Sequence, residues 1–453
     1  MENSNLLVGL DIGTTSIKAV VADNGRVIGA VATPNTGMRH GHIVDIDETA
    51  ASIKRALTDI SEKTGTTIHR VVTGLPVGML QLEPAAGLTT IDENGREVNN
   101  NDVKRVLQAA IKSAIKDGRE PISYLPSRFI IDGKTNVDDP RKMIAHSLAV
   151  NGILLTAPSG DLHNLNKAIE RANYYNNFFV PTPLAIASVA LDEGERTFGA
   201  IILDFGGGVT SATVIHQGQI KYAKVDLEGG SDITNDISVV LSTSKKEAEQ
   251  IKIDYGYADP RLASEQAKFA VRSVGATQQQ MIDEKYLSEI INARVNQIIN
   301  RIGGGLVKHD TLKLPGGIII TGGTSLLQGI DSLVSQKLNV KTKLYQPDQL
   351  GIRNPAYTAG YGIVKYAYNM SEIDYLVENV IYGSQAVPDL PESKPKKERN
   401  AKRQPTPSET IVKEDYNVSN TPRSDESSEA EQTNKKEKKE PGSFTSFFKK
   451  FFD

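Results

Sequence analysis

Two stretches of this chain match each other at a single offset, and that duplication limits what the chain can fold into. LVGLDIGTTSIKAVVADNGRVI begins at Leu7, and AIILDFGGGVTSATVIHQGQIK begins at Ala200. An offset of 193 pairs Asp11 with Asp204, Gly13 with Gly206, Ala19 with Ala212 and Gly25 with Gly218. Each copy reads as strand, Asp-x-Gly turn, strand, glycine turn, strand. Two related lobes, each opening with such a hairpin, are the expected consequence.

The chemistry of the two copies suits phosphate. A tight glycine turn lets backbone N–H groups approach an anion without a Cβ in the way. The first copy supplies Gly13, and the second supplies Gly206, Gly207 and Gly208. Hydroxyls of Thr14, Thr15, Ser16 and Thr210 add donors, and Lys18 adds positive charge. Asp11 and Asp204 stand at strand ends facing one cleft. Such a carboxylate pair suits Mg2+ held through its water shell, because Mg2+ dehydrates reluctantly. The pattern GxxxxGK[ST] is absent, as is a GxGxxG following a strand, which excludes the P-loop and Rossmann alternatives. A third piece, GGIIITGGTSLLQGI, runs from Gly316 to Ile330. It reads as a buried strand, the pair Gly322–Gly323, then Thr324 and Ser325 opening a helix. Two glycines at a strand end admit a flat ring or a sugar.

The rest of the chain to about residue 382 reads as folded α/β. Leu6–Leu10, Ala200–Leu203 and Gly317–Thr321 look like buried strands, and Asp102–Ile115 and Tyr286–Ile302 carry helical apolar periodicity. A chain of 453 residues exceeds one compact core and implies two or three domains. The net charge of −3 gives no reason to expect nucleic-acid binding. There are no cysteines, so thiolate and disulfide chemistry are excluded, which fits a reducing cytoplasm. The first ten residues lack a basic-then-apolar pattern, so no secretory leader is expected. No run approaches the ~20 apolar residues of a bilayer span.

From 383 to 440 Pro, Ser, Glu, Lys, Asn and Thr dominate. Such a segment buries too little apolar surface to offset its ordering entropy and reads as a disordered linker with a reach of roughly 40 Å. The last residues, 441–453, read PGSFTSFFKKFFD. Phe444, Phe447, Phe448, Phe451 and Phe452 share one face, about 140° wide, of a helix wheel. Lys449 and Lys450 lie on the other face, and four further lysines precede the segment within residues 435–439. A helix this short is marginal in water. It needs an apolar surface to fold on, and an anionic lipid interface supplies one. A partner's groove is the alternative occupant.

The three pieces together resemble the actin-like ATPase superfamily. DIGTTSIK looks like its first phosphate loop, DFGGGVT like its second, and TGGTS like its adenosine motif. PTPLAIASVAL from Pro181 and NPAYTAGYGIVKY from Asn354 resemble its two connecting helices. Glu249 and Lys252 resemble the pair that contacts adenosine there, although a solvated i,i+3 ion pair would have the same spacing. Within the superfamily the likeness is to the FtsA family of bacterial division proteins. It is carried by GLDIGTTSIKAVV, GHIVDIDETA, LDFGGGVTSATVI, EGGSDITNDIS, EAEQIKIDYG and ITGGTSLLQGI.

That resemblance implies an α/β, actin-like two-lobed fold. Residues 1–81 and 159–194 would form the first lobe, with a subdomain inserted at 82–158. Residues 195–226 and 304–382 would form the second lobe, with 227–303 as its upper subdomain. It further implies ATP with Mg2+, self-assembly into filaments, contact with other division proteins, and a peripheral site on the cytoplasmic face of the membrane at the division septum. It also implies capture of the acidic C-terminal peptide of FtsZ by the helix carrying Glu289, Arg294 and Arg301, which as bare sequence fits a solvated face equally well. Thr182 stands where chaperone relatives place a carboxylate before the proline of the first connecting helix. A threonine is no base near neutral pH, so ATP binding is expected to matter more than turnover. An actin-fold phosphotransferase or a chaperone-like ATPase remains the alternative. The first would need a catalytic aspartate in a sugar pocket, and the second a β-rich substrate domain.

Overall fold

A computed structural model describes residues 6–275 and 279–384. The linker from residue 385 and the whole phenylalanine-rich segment 441–453, with Phe444, Phe447, Phe448, Lys449, Lys450, Phe451 and Phe452, lie outside the described residues.

The chain opens with three consecutive antiparallel strands, β1 (Leu6–Ile12), β2 (Ser16–Asp23) and β3 (Arg26–Pro34). A short hairpin follows, β4 (Met38–Arg39) and β5 (His42–Ile43). Helix α1 (Ile46–Thr64) starts where the Asp45 side chain accepts from the Glu48 N–H and stops at Gly65, whose φ of 65° a side chain would strain. β6 (Arg70–Leu75) then lies parallel to β1. The alternation of β2 decides its two faces. Ile17, Ala19 and Val21 pack with Ile53, Leu57 and Ile60 of α1, while Val20 and Ala22 face the other way.

The insert follows a 3-10 turn at Val77–Met79. It comprises β7 (Gln81–Thr90), β8 (Arg96–Glu97), α2 (Asn100–Ala114), β9 (Arg119–Ile131), β10 (Thr135–Val137), β11 (Ile144–Ala145) and β12 (Ser147–Pro158). Four of these strands make an antiparallel sheet in the order β10-β9-β12-β7. Val103, Val106, Leu107, Ala110 and Ile111, the predicted apolar face of α2, fill a core with Tyr124, Phe129, Leu148 and Leu154. A capping box between Asn99 and Asp102 begins α2, and Arg96 and Arg105 both grip the Asp102 carboxylate.

The first lobe resumes with α3 (Ser159–Arg171), β13 (Tyr175–Pro181), α4 (Thr182–Ala190) and α5 (Glu193–Phe198), giving a sheet ordered β13-β6-β1-β2-β3. The second lobe repeats the opening with β14 (Ala200–Phe205), β15 (Thr210–His216) and β16 (Gln219–Asp226). The repetition extends to detail. The turns Asn24–Gly25 and Gln217–Gly218 both have positive φ at both residues, 49° and 74° against 52° and 69°, as a two-residue hairpin of this twist requires. Each second strand carries its irregularity at the equivalent place, Val21/Ala22 and Val214/Ile215.

Helices α6 (Gly230–Val240) and α7 (Lys245–Tyr255), the pair β17 (Lys268–Val271) and β18 (Gln280–Asp283), and the long α8 (Glu284–Lys308) follow. Then come β19 (Ile318–Thr321), α9 (Ile330–Leu338) and β20 (Thr342–Leu344), completing a sheet ordered β16-β15-β14-β19-β20. Last are α10 (Thr358–Tyr368) and α11 (Glu372–Tyr382). These two helices depart from the expectation that 304–382 belongs throughout to the second lobe. Val364 and Tyr361 of α10 bury Val20 and Ala22 of the first-lobe sheet. Ile373, Leu376 and Val377 of α11 join the core of the insert. A Cβ on Gly362 would sit 2.3 Å from the Ala185 carbonyl, so only glycine lets α10 cross α4 this closely.

Candidate nucleotide site

A cavity of about 1250 Å3 lies between the two lobes, and the ends of the repeated hairpins form its floor. The turns after β1 and β14 are closed by equivalent bonds. The Gly13 N–H donates to the Ser16 carbonyl at 3.2 Å, and the Gly206 N–H to the Val209 carbonyl at 3.0 Å. The turns also pack against each other. A Cβ on Gly207 would meet Thr15 Oγ1 at 2.3 Å, and one on Gly208 would meet Thr14 Cγ2 at 2.5 Å. Glycine at both positions is therefore a demand of the closed cleft and not only of the turn. Thr14 is held from behind, its Oγ1 accepting from the Gly41 N–H at 3.0 Å.

Asp11, Gly13, Thr14, Thr15, Ser16 and Lys18 all line the cavity, as do Asp204, Gly206, Gly207 and Gly208. Lys18 Nζ stands 3.4 Å from Asp11 Oδ2. Burial pushes the Asp204 carboxyl up to about 6; the Asp11 charge adds to the shift and Lys18 opposes it. Two interacting carboxylates against one lysine leave uncompensated negative charge beside the cavity. A divalent cation would relieve it, so the donors present fit Mg2+. Asp11 and Asp204 would hold it through water, and there it would supply charge neutralisation for phosphate oxygens.

Gly322, Gly323 and Thr324 line the same cavity, and Thr324 Oγ1 donates to the Gly206 carbonyl at 2.8 Å, tying the third motif to the second turn. Glu249 and Lys252 are also in the wall. In their 2.7 Å pair Glu249 is half-exposed, but the lysine is withdrawn from solvent. Lys252 is 8% exposed, and its ammonium also donates to the Gly230 carbonyl at 2.9 Å and to Thr234 Oγ1 at 2.8 Å. Burial holds its pKa below the usual lysine range despite Glu249.

Two expected donors are elsewhere. Thr210 is fully buried and its hydroxyl donates to the Glu228 carbonyl at 2.8 Å, so it braces the loop rather than facing the cavity. Ser325 is 1% exposed and its hydroxyl closes onto the Gly322 carbonyl at 2.7 Å. Sequence reasoning missed further lining groups. Asn354, Pro355 and Ala356 reach the cavity from the turn before α10. His40 and Gly41 reach it from the β4–β5 tip. The stretches GHIVDIDETA and NPAYTAGYGIVKY held the signal, but nothing in their spacing points to one cleft.

The α8 residues form a separate group. Glu289 is exposed. Arg294 forks the Asp236 carboxylate with bonds of 2.7 and 2.8 Å and bonds Glu228 at 2.9 Å. Arg301 takes Asp226 at 2.5 and 3.0 Å and also bonds Glu228. Neither arginine is a free cation on a solvated face; both are already neutralised from within the lobe.

A family profile described as "Cell division protein FtsA" matches residues 201–362, and one described as "SHS2 domain inserted in FTSA" matches 79–156. The cell division protein FtsA of Enterococcus hirae is 40% identical over 391 residues, 85% of this chain and 88% of the relative. That of Bacillus subtilis is 33% identical over 377 residues, 82% and 86% of the two chains. Among solved structures, the PilM–PilN type IV pilus biogenesis complex matches with a TM-score of 0.56 at 16% identity, covering 80% of this chain and 99% of the other. MreB5 of Spiroplasma citri bound to ADP matches with a TM-score of 0.52 at 13% identity, covering 81% and 100%. The two lobes are thus an actin-like fold, and with relatives this similar along most of its length the chain belongs to the FtsA family of cell division proteins.

Proposed function

We propose that this protein binds ATP with Mg2+ in the interlobe cleft, assembles into actin-like filaments, and tethers FtsZ to the cytoplasmic face of the membrane at the division septum. The observation that carries the nucleotide half is the closure of two in-register glycine turns around Asp11, Lys18 and Asp204. Backbone N–H groups and Lys18 would take the phosphates. Glu249, the buried Lys252 and Gly322–Gly323 would hold the adenosine. MreB5 of Spiroplasma citri, titled as bound to ADP, shares this fold.

Turnover is expected to be slow. Thr182 stands at the mouth of α4, 8% exposed, where a base would be needed, and it cannot accept a proton near neutral pH. The nucleotide then acts by drawing two lobes together, which suits a protein that assembles. The FtsZ C-terminal peptide is assigned to α8 around Glu289, Arg294 and Arg301. Its carboxylates would have to compete with Asp236, Asp226 and Glu228 for the guanidinium groups. The membrane contact is assigned to 441–453 on its phenylalanine stripe and lysines.

One experiment tests the tethering half. The full chain and a form lacking 441–453 are pelleted with anionic liposomes, with and without FtsZ. The full chain should pellet and carry FtsZ with it. Equal pelleting of the truncated form would remove the anchor, and failure to carry FtsZ would remove the adaptor.

A further inference from the structure

Between β16 and the first turn of α6 runs a six-residue segment, Asp226–Ser231, that is bonded on two sides to two different functional parts. On its inner side it is stitched to the second phosphate turn. The Gly230 N–H donates to the Gly206 carbonyl at 3.1 Å and the Ser231 N–H to the Gly207 carbonyl at 2.7 Å. The Glu228 carbonyl accepts from Thr210 at 2.8 Å, and a Cβ on Gly229 would lie 2.5 Å from the Gly206 carbonyl. On its outer side the segment is held by α8. The Glu228 carboxylate takes both Arg294 and Arg301, and the Asp226 carboxylate takes Arg301. Burial pushes the Glu228 carboxyl up, but the hydrogen bonds and charges of Arg301 and Arg294 outweigh it and leave it ionised below the usual range. A third tie crosses the cleft, where His40 Nδ1 donates to the Leu227 carbonyl at 2.6 Å.

Glu228 thus has its side chain on the α8 arginines and its main chain on the phosphate turn. We propose that Asp226–Ser231 is a relay, with Glu228 as its positioning residue, through which an acidic peptide on α8 and a nucleotide in the cleft oppose each other's binding. The peptide half rests on the reading of α8 as the FtsZ-peptide site. A carboxylate-rich peptide competes with Glu228 and Asp226 for the same guanidinium groups. The two states are therefore a segment pulled against α8 and a segment released from it. Only the first holds Gly206 and Gly207 in place for phosphate. A coupling free energy of this kind is reciprocal, so nucleotide must weaken the peptide by the factor with which the peptide weakens nucleotide.

The test uses the full chain, a fluorescent ATP analogue with Mg2+, and a synthetic peptide of the acidic FtsZ C-terminus. Without peptide, Glu228→Gln and Arg301→Gln should each weaken the nucleotide roughly fivefold, a coupling of the size such relays carry. Arg301→Gln combined with Thr210→Val should lose less than the product of the two single losses, because both cut one chain of contacts. Arg301→Lys, which keeps the charge, should restore part of the affinity, and its nucleotide-free melting temperature reports that the fold is intact. Unchanged affinity in the single variants, or strictly multiplicative losses, would overturn the relay. With peptide, whose binding is followed by its own anisotropy, wild-type nucleotide affinity should fall, and the fall should vanish in Glu228→Gln. Peptide binding with unaltered nucleotide affinity overturns the coupling. No peptide binding overturns the partner reading and the peptide half with it, while the variant cycle still decides the relay.

Discussion

At the scale of single residues, the site is governed by where a side chain cannot go and where a charge cannot be hydrated. Gly207 shows the first. Its missing Cβ is occupied by the branched body of Thr15, with Oγ1, Cγ2 and Cβ at 2.3, 2.6 and 3.0 Å, so no rotation of Thr15 clears the space. Gly207→Ala should force the two turns apart and weaken Mg-ATP at least tenfold, a loss of about 1.4 kcal/mol, readable by calorimetry. Wild-type affinity in that variant would show that the closed contact is not the binding state. Asp204 shows the second. Its carboxyl sits near 6 through burial and the charge of Asp11. A raised carboxyl pKa means that the protonated form is favoured in the fold, so Asp204 favours the folded state most at acid pH and costs stability as pH climbs to 6. Cation binding has the opposite sign, since the ligand must be the carboxylate. Mg2+-dependent nucleotide affinity should therefore fall as pH drops below 6, and Asp204→Asn should bind weakly with a flat profile. An unaltered slope in that variant would assign the pH dependence elsewhere.

At the scale of elements, α11 ties the C-terminal end of the described chain to the insert. It buries Ile373, Leu376 and Val377 in the core of an insert more than two hundred residues earlier in sequence. It also carries a carboxyl into that contact. Glu378 is 3% exposed, Ser123 Oγ donates to it at 2.8 Å, and its second oxygen is unpartnered within the protein. Burial, opposed by the Ser123 bond and aided by Asp374, pushes it up to about 8. The same sign applies as for Asp204. The stabilising effect of the neutral acid is complete below the ordinary carboxylate range and is lost as pH rises through 8. The melting temperature should decline between pH 5 and 8 in the wild type and decline less in Glu378→Gln, which stays neutral. Identical profiles would show that the contact tolerates an ionised Glu378. The tyrosine at the end of the helix completes the clamp, Tyr382 OH donating to the Ile122 carbonyl at 2.8 Å.

At the scale of the whole molecule, the proposed function requires the cleft and the terminal segment 441–453 to act together. On the proposed membrane reading, five phenylalanines in so short a segment would give a marginal, reversible anchor. Many such segments on one filament bind far more firmly, with avidity gains of roughly 10²–10⁴ over a single contact. Assembly and membrane attachment are therefore expected to rise together. A variant that binds ATP but does not polymerise should lose most pelleting with anionic liposomes at low protein concentration, although its 441–453 segment is intact. Undiminished pelleting would make each anchor sufficient alone. Among the described residues no helix is long and apolar enough to cross a membrane, which leaves the anchoring proposal resting on the terminal stripe.

What the sequence determined by itself is the duplicated hairpin, and with it the actin-like architecture and most of the cleft. A period-2 pattern and a glycine turn are local properties, so Asp11, Gly13, Asp204 and Gly206 could be placed at strand ends without knowing what lay opposite. The buried stripe on α2 was legible for the same reason. What only the tertiary structure decided concerns groups whose partners are remote in sequence. Thr210 and Ser325 have residue types that suit a ligand, but packing turned both hydroxyls to the backbone. Arg294 and Arg301 look free on a helix wheel, yet carboxylates 58 to 75 residues earlier neutralise them. α10 and α11 follow the second lobe along the chain but cross back to the first, because its sheet and its insert hold the apolar faces they cover. Residue type and spacing limit what a side chain can do, and the fold chooses its partner.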